Sequence, residues 1–453
     1  MQLFKAAFER SLTERDWKQN ILFSFQLPRG ATHLRVLLEY APHEVSGYLN
    51  MLTLAVFDPS GWRGAGHRHG DRHEVVIGAD GATPGYLPGP VPPGEWAVEV
   101  DTHMVMPGPS CQMKLTIRAD SDPEGQPAPA PAPGRTAPRG PGWYRGDLHA
   151  HSPHSDARWD IPALLAFARA RGLDFTTLSD HNSTAGLAEM LAASADDLLT
   201  LGGMELTTFR GHALALGVHQ WIDWRTRPGG RSMDQVAEEV VSRGGLFVIA
   251  HPSAPGDPYC TGCDWRHPGL MPGGASAVEV WNMDWRSEVN NEDALALAYR
   301  WLNQGCRLPM TAGTDNHGEH LDLKYGFNVV YAAELSEAAV LRAIGAGHLY
   351  LSSGPALGLQ ARAGSLAAMM GDALAAPAGE AIRVAASWSG CAPDDRAALV
   401  VDGEERERVP AGGQGSAAWQ IESGAARWCH VTLRDSQGTV LALTNPIYFT
   451  GGS

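Results

Sequence analysis

The stretch Gly146-Asp-Leu-His-Ala-His-Ser-Pro-His-Ser-Asp156 puts two histidines two positions apart, at the end of a strand-like run over 143–148. Residues i and i+2 of a strand point to one face, so His149 and His151 can reach the same metal ion. Asp156 follows in a turn with Pro153 and Ser155, within reach of a neighbouring ion. A lone His-x-His would read as a surface loop, but this one has company. Ser179-Asp-His-Asn182 follows the apolar run 173–178, and Gly203-Met-Glu205 follows 198–201. His251-Pro252 follows 246–250, and Gly313-Thr-Asp-Asn-His317 follows 308–310. Each time, a metal-ligating residue type stands just past the C-terminal end of a strand-like segment. Alpha/beta barrels carry their catalytic residues there.

Hydrolysis of a stable bond needs a nucleophile stronger than water, and divalent metals supply it by lowering the pKa of bound water. The candidate ligands are His149, His151, Asp156, His181, Glu205, His251, Asp315 and His317. They are too many for one ion and suit two or three divalent ions, with a carboxylate bridging a pair. Mixed imidazole and carboxylate ligation fits Zn, Mn or Fe better than Mg or Ca. Asp156, His181, Glu205 and His212 are the candidates for catalytic roles. His212, in Arg210-Gly-His-Ala213, is open between ligand, substrate contact and general acid; His219 is a weaker candidate. Arg210, Arg225, Asn182 and Asn282 are candidate substrate contacts. No Gly-x-Ser-x-Gly elbow and no P-loop occurs, which argues against serine-hydrolase and P-loop chemistry.

These residues need a scaffold, and 453 residues suffice for two to four domains. Hydrophobic residues make up 44% and charged residues 19%, as in a globular protein with a substantial core. Fifty acidic against 35 basic residues give a net charge of -15, which argues against a broad nucleic-acid surface. A small-molecule substrate is expected instead. Residues 1–20 hold no apolar core segment, and no later run is long enough to span a bilayer. The expectations are a cytoplasmic protein and six reduced cysteines.

Residues 1–120 read as a β-sandwich-like domain of short strands between Gly- and Pro-rich turns. His67, His69 and His73 crowd one loop there without a patterned carboxylate or Cys, so a solvated loop without chemistry is expected. Residues 121–142 are a Pro/Ala-rich linker or surface strap. Residues 143–357 alternate strand and helix patterns, which predicts parallel strands with crossover helices. Helices are expected over 161–171, 185–195, 291–304, after a Ser232–Gln235 capping box, and after Ser336. Residues 358–453 return to β character as a small closing module. Cys260-Thr-Gly-Cys263 near His267 is a single Cys pair, and reads as a turn before a zinc knuckle. The β modules are candidates for shaping the site, binding a partner or forming a homo-oligomer.

The set Asp-Leu-His149-Ala-His151, Ser155-Asp156, Ser-Asp180-His181, Glu205, His251-Pro and Gly-Thr-Asp315-Asn-His317 resembles the motifs of the PHP (polymerase and histidinol phosphatase) superfamily. The resemblance implies an α/β fold: a distorted seven-stranded β/α barrel over about 143–357, here flanked by β-sandwich-like modules. It also implies one ion on His149, His151, Glu205 and Asp315, with Glu205 bridging to a second ion on His251. Asp156, His181 and His317 would hold a third. The family usually supplies another His near the second ion, and only His212 or His219 stands in place for it. Finer motifs are similar to the carbaryl-hydrolase-related (CehA/McbA) branch: Arg210-Gly-His212, Asp223-Trp-Arg225, Val278-Glu-Val-Trp-Asn282 and Thr444-Asn-Pro-Ile-Tyr448. The leading expectation is a phosphoesterase using metal-bound hydroxide. The alternative is a carbamate, ester or amide hydrolase with the same centre. A purely structural metal site is disfavoured, because such sites are closed by few ligands.

Overall fold

Strand His33–Ala41 buries every second residue, so one face packs inward and the other meets solvent. Its sheet, in the order Gln2–Leu12, Cys111–Asp120, His33–Ala41, Arg72–Gly78, is antiparallel. A second sheet runs Asn20–Leu27, Gly94–Met104, Met51–Asp58, Gly61–Gly66. Both contribute to one core with Leu34, Leu52, Trp96 and Leu115. Strand Gln2–Leu12 escapes the sequence reading because Leu12 is its only buried residue. The computed structural model describes residues 1–121, 131–226, 230–267, 274–318 and 322–450.

The middle of the chain is mixed α/β. Helices Ile161–Ala170, Met233–Ser242, Asn291–Asn303 and Glu337–Gly345 fall where the apolar spacing predicts, and Leu187–Ala192 is shorter than expected. Asp160, Ser232 and Ser336 each accept an amide hydrogen of the first turn, and Ser232 with Gln235 closes the capping box. Strands Gly203–Thr208, Gly211–Leu216 and Ala277–Asn282 are buried at every residue, as strands covered on both faces must be. With Leu246–Ile249 and Met310–Gly313 they form one sheet. Leu199–Leu201, Phe175–Thr177 and Gly142–Asp147 pair in parallel in another. Isolated parallel bridges Ala150↔Asn316 and His181↔Glu205 join the two sheets beside the His-x-His turn.

The segment after 357 is not set apart by a break in hydrogen bonding. The sheet holding Gly142–Asp147 continues through Phe327–Ala332 and Leu349–Ser352 into Val440–Thr444, Trp428–Arg434 and Arg396–Val401. Asn445 ties the seam: its side chain accepts from the Met310 amide at 2.7 Å and donates to the Met310 and Leu349 carbonyls. Of the Pro/Ala-rich segment, 122–130 lie outside the described residues. The rest straps the surface, with the Gly134 amide on the Leu191 carbonyl and Arg139 on Asp174.

The expectation of six free thiols is corrected: Cys260 and Cys263 form a disulfide, while Cys111, Cys306, Cys391 and Cys429 are free. Absence of a leader pattern could not exclude a local pair brought together by a tight turn. His267 is engaged elsewhere, 2.8 Å from the Thr208 hydroxyl. Among the described residues, no helix is long and apolar enough to cross a membrane.

Candidate metal centre

Two buried carboxylates brace the His-x-His turn. Asp147 accepts from the His149 and Thr314 amides and from the Thr314 hydroxyl, tying the first strand end to the loop that carries Asp315. Burial pushes the Asp147 carboxyl up to about 6 against these hydrogen bonds. Asp180 accepts from the Ser152 amide and from the Ser152 and Ser155 hydroxyls at 2.7–2.8 Å. The turn is thereby fixed before any ligand arrives.

His149 Nε2 lies 3.3 Å from both Glu205 Oε2 and Asp315 Oδ1. His151 Nε2 lies 3.4 and 3.0 Å from the same two oxygens. Ligands at about 2.0–2.2 Å from a tetrahedral ion stand about 3.3–3.6 Å apart, and His149, His151 and Asp315 can each offer one donor atom within 4.8 Å of the other two. The four atoms His149 Nε2, His151 Nε2, Glu205 Oε2 and Asp315 Oδ1 are buried without a well-formed hydrogen bond among the described residues, although His181 Nδ1 also stands 2.8 Å from Glu205 Oε2. Buried polar atoms rarely go without partners, so the donor set fits a cation.

The other oxygen of Glu205 faces a second pair. Oε1 is 3.0 Å from His212 Nδ1 and 3.2 Å from His251 Nε2. The remaining ring nitrogens point at carbonyls: His212 Nε2 at Thr261 and His251 Nδ1 at Cys263. Such outer contacts fix tautomer and ring orientation of metal-binding histidines. Of His212 and His219, only His212 stands against Glu205; His219 sits against Glu337 at 2.7 Å. A third group gathers around Asp156, with Oδ1 3.3 Å from His317 Nε2 and Oδ2 3.7 Å from His181 Nε2. His151, Asp156, His181 and His317 can each offer one donor atom within 4.8 Å of the others.

Charge in the cluster is unevenly shared. Burial works against a proton on His317, but Asp156 and Asp315 outweigh it and push the ring up to about 10. Burial and the neighbouring His317 and His181 push His151 down to about 3, a neutral ring suited to ligation. Burial opposes ionisation of Asp156, Glu205 and Asp315, yet the imidazoles around them hold all three well below the usual carboxylate range.

Glu205 follows the end of strand Leu199–Leu201, as expected, but it also lies within the next strand, in the antiparallel pair Gly203–Thr208 and Gly211–Leu216, where Thr207 faces His212. The hairpin brings the two side chains together across strands. Asn182, His251 and Asp315 do follow strand ends, and each has positive φ, at 52°, 27° and 50°. Non-glycine residues hold this conformation where surrounding structure imposes it, as it often does at functional sites.

Other candidates are engaged by protein. Asn182 exchanges hydrogen bonds with the Thr207 backbone at 2.9 and 3.0 Å, holding the strand that faces His181. Asn282 donates to Glu279 and Asp315 at 3.0 and 3.2 Å. Arg225 is clamped by Asp223 and by Glu99 of the N-terminal module, with its guanidinium over the Phe57 ring. Arg210 is exposed, and its carbonyl receives the Arg266 amide in a turn.

Sequence reasoning missed Glu279, which accepts from His149 Nδ1 at 3.1 Å and from the His251 amide at 3.0 Å. The available signal was a carboxylate inside an otherwise apolar strand. It also misjudged His67 and His73, which are buried, whereas His69 is exposed as expected. His67 is buried with its ring 4.6 Å from that of His181, and His69 Nε2 is 3.4 Å from Asp156 Oδ2. The carboxylate absent from their own loop is supplied by another part of the chain. His73 stays apart, bonded to the Gly70 carbonyl.

A pocket of about 670 Å³ opens on His251, Asp315 and His317 and is walled by Ala254, Met283 and Val289 among others. No Lys or Arg is among its described lining residues.

No family model matches the chain, and no curated protein matches it. Among solved structures it is similar to a two-domain protein from Bacteroides vulgatus ATCC 8482, described as containing a predicted PHP-like metal-dependent phosphoesterase. That likeness has 14% identity, 71% of this chain and 100% of that chain covered, and a TM-score of 0.39. It is also similar to an amidohydrolase from Chromobacterium violaceum with bound sulfate and no metal. Here identity is 18%, coverage 39% and 89%, and the TM-score 0.28. Both likenesses are distant, and the functional reading rests on the site itself.

Proposed function

We propose that this chain is a metal-dependent hydrolase acting on phosphate esters, with two or three divalent ions of the Zn, Mn or Fe group. The observation that carries the reading is the convergence of unpartnered buried donor atoms from His149, His151, Glu205 and Asp315. Glu205 would bridge this group to His212 and His251, and Asp156, His181 and His317 would complete a third position. Divalent ions held there lower the pKa of water toward neutrality and screen charge on the attacked group. Three such ions would outweigh the four carboxylates Asp156, Glu205, Glu279 and Asp315, and a net positive site favours an anionic substrate. Asp315 and His317 line both the centre and the pocket, so a substrate whose apolar group fills the pocket presents its scissile bond to the cluster. The two bridged sheets are read as one distorted barrel of the PHP type, with the β modules packed on it.

A second reading is hydrolysis of carbamates, esters or amides, as in the carbaryl-hydrolase-related branch. It is favoured by the pocket's apolar walls and by the absence of Lys and Arg from its described lining. Metal-reconstituted protein assayed on aryl phosphomonoesters, phosphodiesters and aryl carbamates separates the two. Faster turnover of a phosphoester supports the first reading; carbamate cleavage with inert phosphoesters replaces it with the second.

A further inference from the structure

We infer that the N-terminal module supplies metal ligands: His67 and His69, with Asp156, form a divalent-cation site shared between that module and the α/β region. This rests on the metal-centre reading and extends it to residues of a separate core.

One ring nitrogen of His67, one of His69 and one carboxylate oxygen of Asp156 all lie within 4.8 Å of one another. Ligands at about 2.0–2.2 Å from one ion can stand up to about 4.4 Å apart, so small side-chain rotations close the site. Asp156 has an oxygen for each side. Oδ1 faces His317, and Oδ2 faces His69 and His181. It can thus bridge the shared ion to one held in the α/β region.

Partnering supplies a second, independent observation. His67 is 8% exposed, and its Nδ1 makes no hydrogen bond among the described residues. A buried imidazole nitrogen without a partner is costly, and coordination removes that cost.

The module is also held in place. His67 directly follows strand Gly61–Gly66. The Gly85 amide donates to His154 Nδ1 at 3.0 Å, and the Ser183 hydroxyl donates to the Gly85 carbonyl at 3.1 Å. A Cβ at Gly85 would collide with the Ala65 and His154 carbonyls, so only glycine permits this approach. Lys18 pairs with Asp257, and Arg225 with Glu99, across the same seam. Two imidazoles and one carboxylate with open positions suit a first-row divalent ion such as Zn, Mn or Fe.

The test uses the full chain and zinc, with elemental analysis after equilibrium dialysis and a calorimetric titration. His69→Gln is the primary variant, because the His69 side chain is 61% exposed and its loss threatens folding little. His67→Gln is the second. Each variant is expected to lose one zinc equivalent, or to bind it at least ten-fold more weakly, with the other equivalents unchanged. Cobalt-substituted protein should lose part of its visible absorption in step. Unchanged stoichiometry and affinity in His69→Gln overturns the inference and leaves the α/β centre standing. Wild-type chain that takes up no zinc overturns the metal-centre reading and this inference together. If His67→Gln unfolds, His69→Gln alone decides.

Discussion

His149 faces Glu279 through Nδ1 at 3.1 Å, and this aims its Nε2 at Glu205 and Asp315, each 3.3 Å away. Glu279 also accepts from the His251 amide at 3.0 Å and is not itself among the pocket's described lining residues, so its role is to orient and charge-balance the imidazole. Glu279→Gln should weaken the tightest metal equivalent by about 10–100-fold, as loss of an outer partner does. Metal titration against a competing chelator measures this; unchanged affinity would show that His149 is held by packing alone.

Glu205 offers one oxygen to each of two groups of histidines. An amide is a poor ligand for two cations. Glu205→Gln should remove two metal equivalents and reduce turnover by more than the ~100-fold of an outer partner. Circular dichroism should stay unchanged. Near wild-type turnover with both ions retained would assign the bridge elsewhere.

Gly313 packs against the centre from behind. A Cβ there would collide with the Glu279 carboxylate and with His149 Cβ. Gly313→Ala should cost about 1–3 kcal/mol, the range of overpacking in a close-packed interior, and loosen metal binding with it. Denaturant unfolding of the metal-free and metal-loaded protein measures both effects.

Arg225 neutralises Glu99, which is 1% exposed at the seam between the modules. Arg225→Ala leaves that carboxylate buried beside Asp101, whose own pKa burial and Glu99 already raise. The loss should fall below the ~3–5 kcal/mol of a fully buried pair, since Arg225 keeps 17% exposure. Urea unfolding followed by tryptophan fluorescence should show the destabilisation; an undiminished midpoint would mean that the seam is held without this pair.

His219 stands outside the centre, so His219→Ala should leave metal content and turnover unchanged. The hydrogen bond to Glu337 raises the His219 pKa above its ordinary value against burial. Protonation is therefore favoured by folding. The contribution is complete below the unfolded value near 6.5 and disappears as pH rises through the raised folded value. With 46% exposure it should amount to less than about 1 kcal/mol. Unfolding midpoints of wild type and variant should differ below pH about 6 and converge in alkali.

Local chemistry determined much of this protein. Helix positions followed from apolar spacing and from the Ser232 and Ser336 caps, because caps and periodicity act within a few residues. His149 with His151, Asp156, His181, His251, Asp315 and His317 were readable because each stands beside a strand-like run, and such ends converge when strands align in parallel. What tertiary structure decided has sequence separation in common. His212 was chosen over His219 by cross-strand register, which sets its ring against Glu205. Glu279 became a partner of His149 only when separate strands were packed side by side. Arg225, a plausible substrate contact by type, was taken by a carboxylate on the N-terminal module. His67 looked solvated until docking buried it against His181, and the same docking set Asp156 beside the exposed His69. Residue type and spacing specify which side chains can ligate or pair. Which ones meet depends on the packing of distant segments, and no local pattern encodes that.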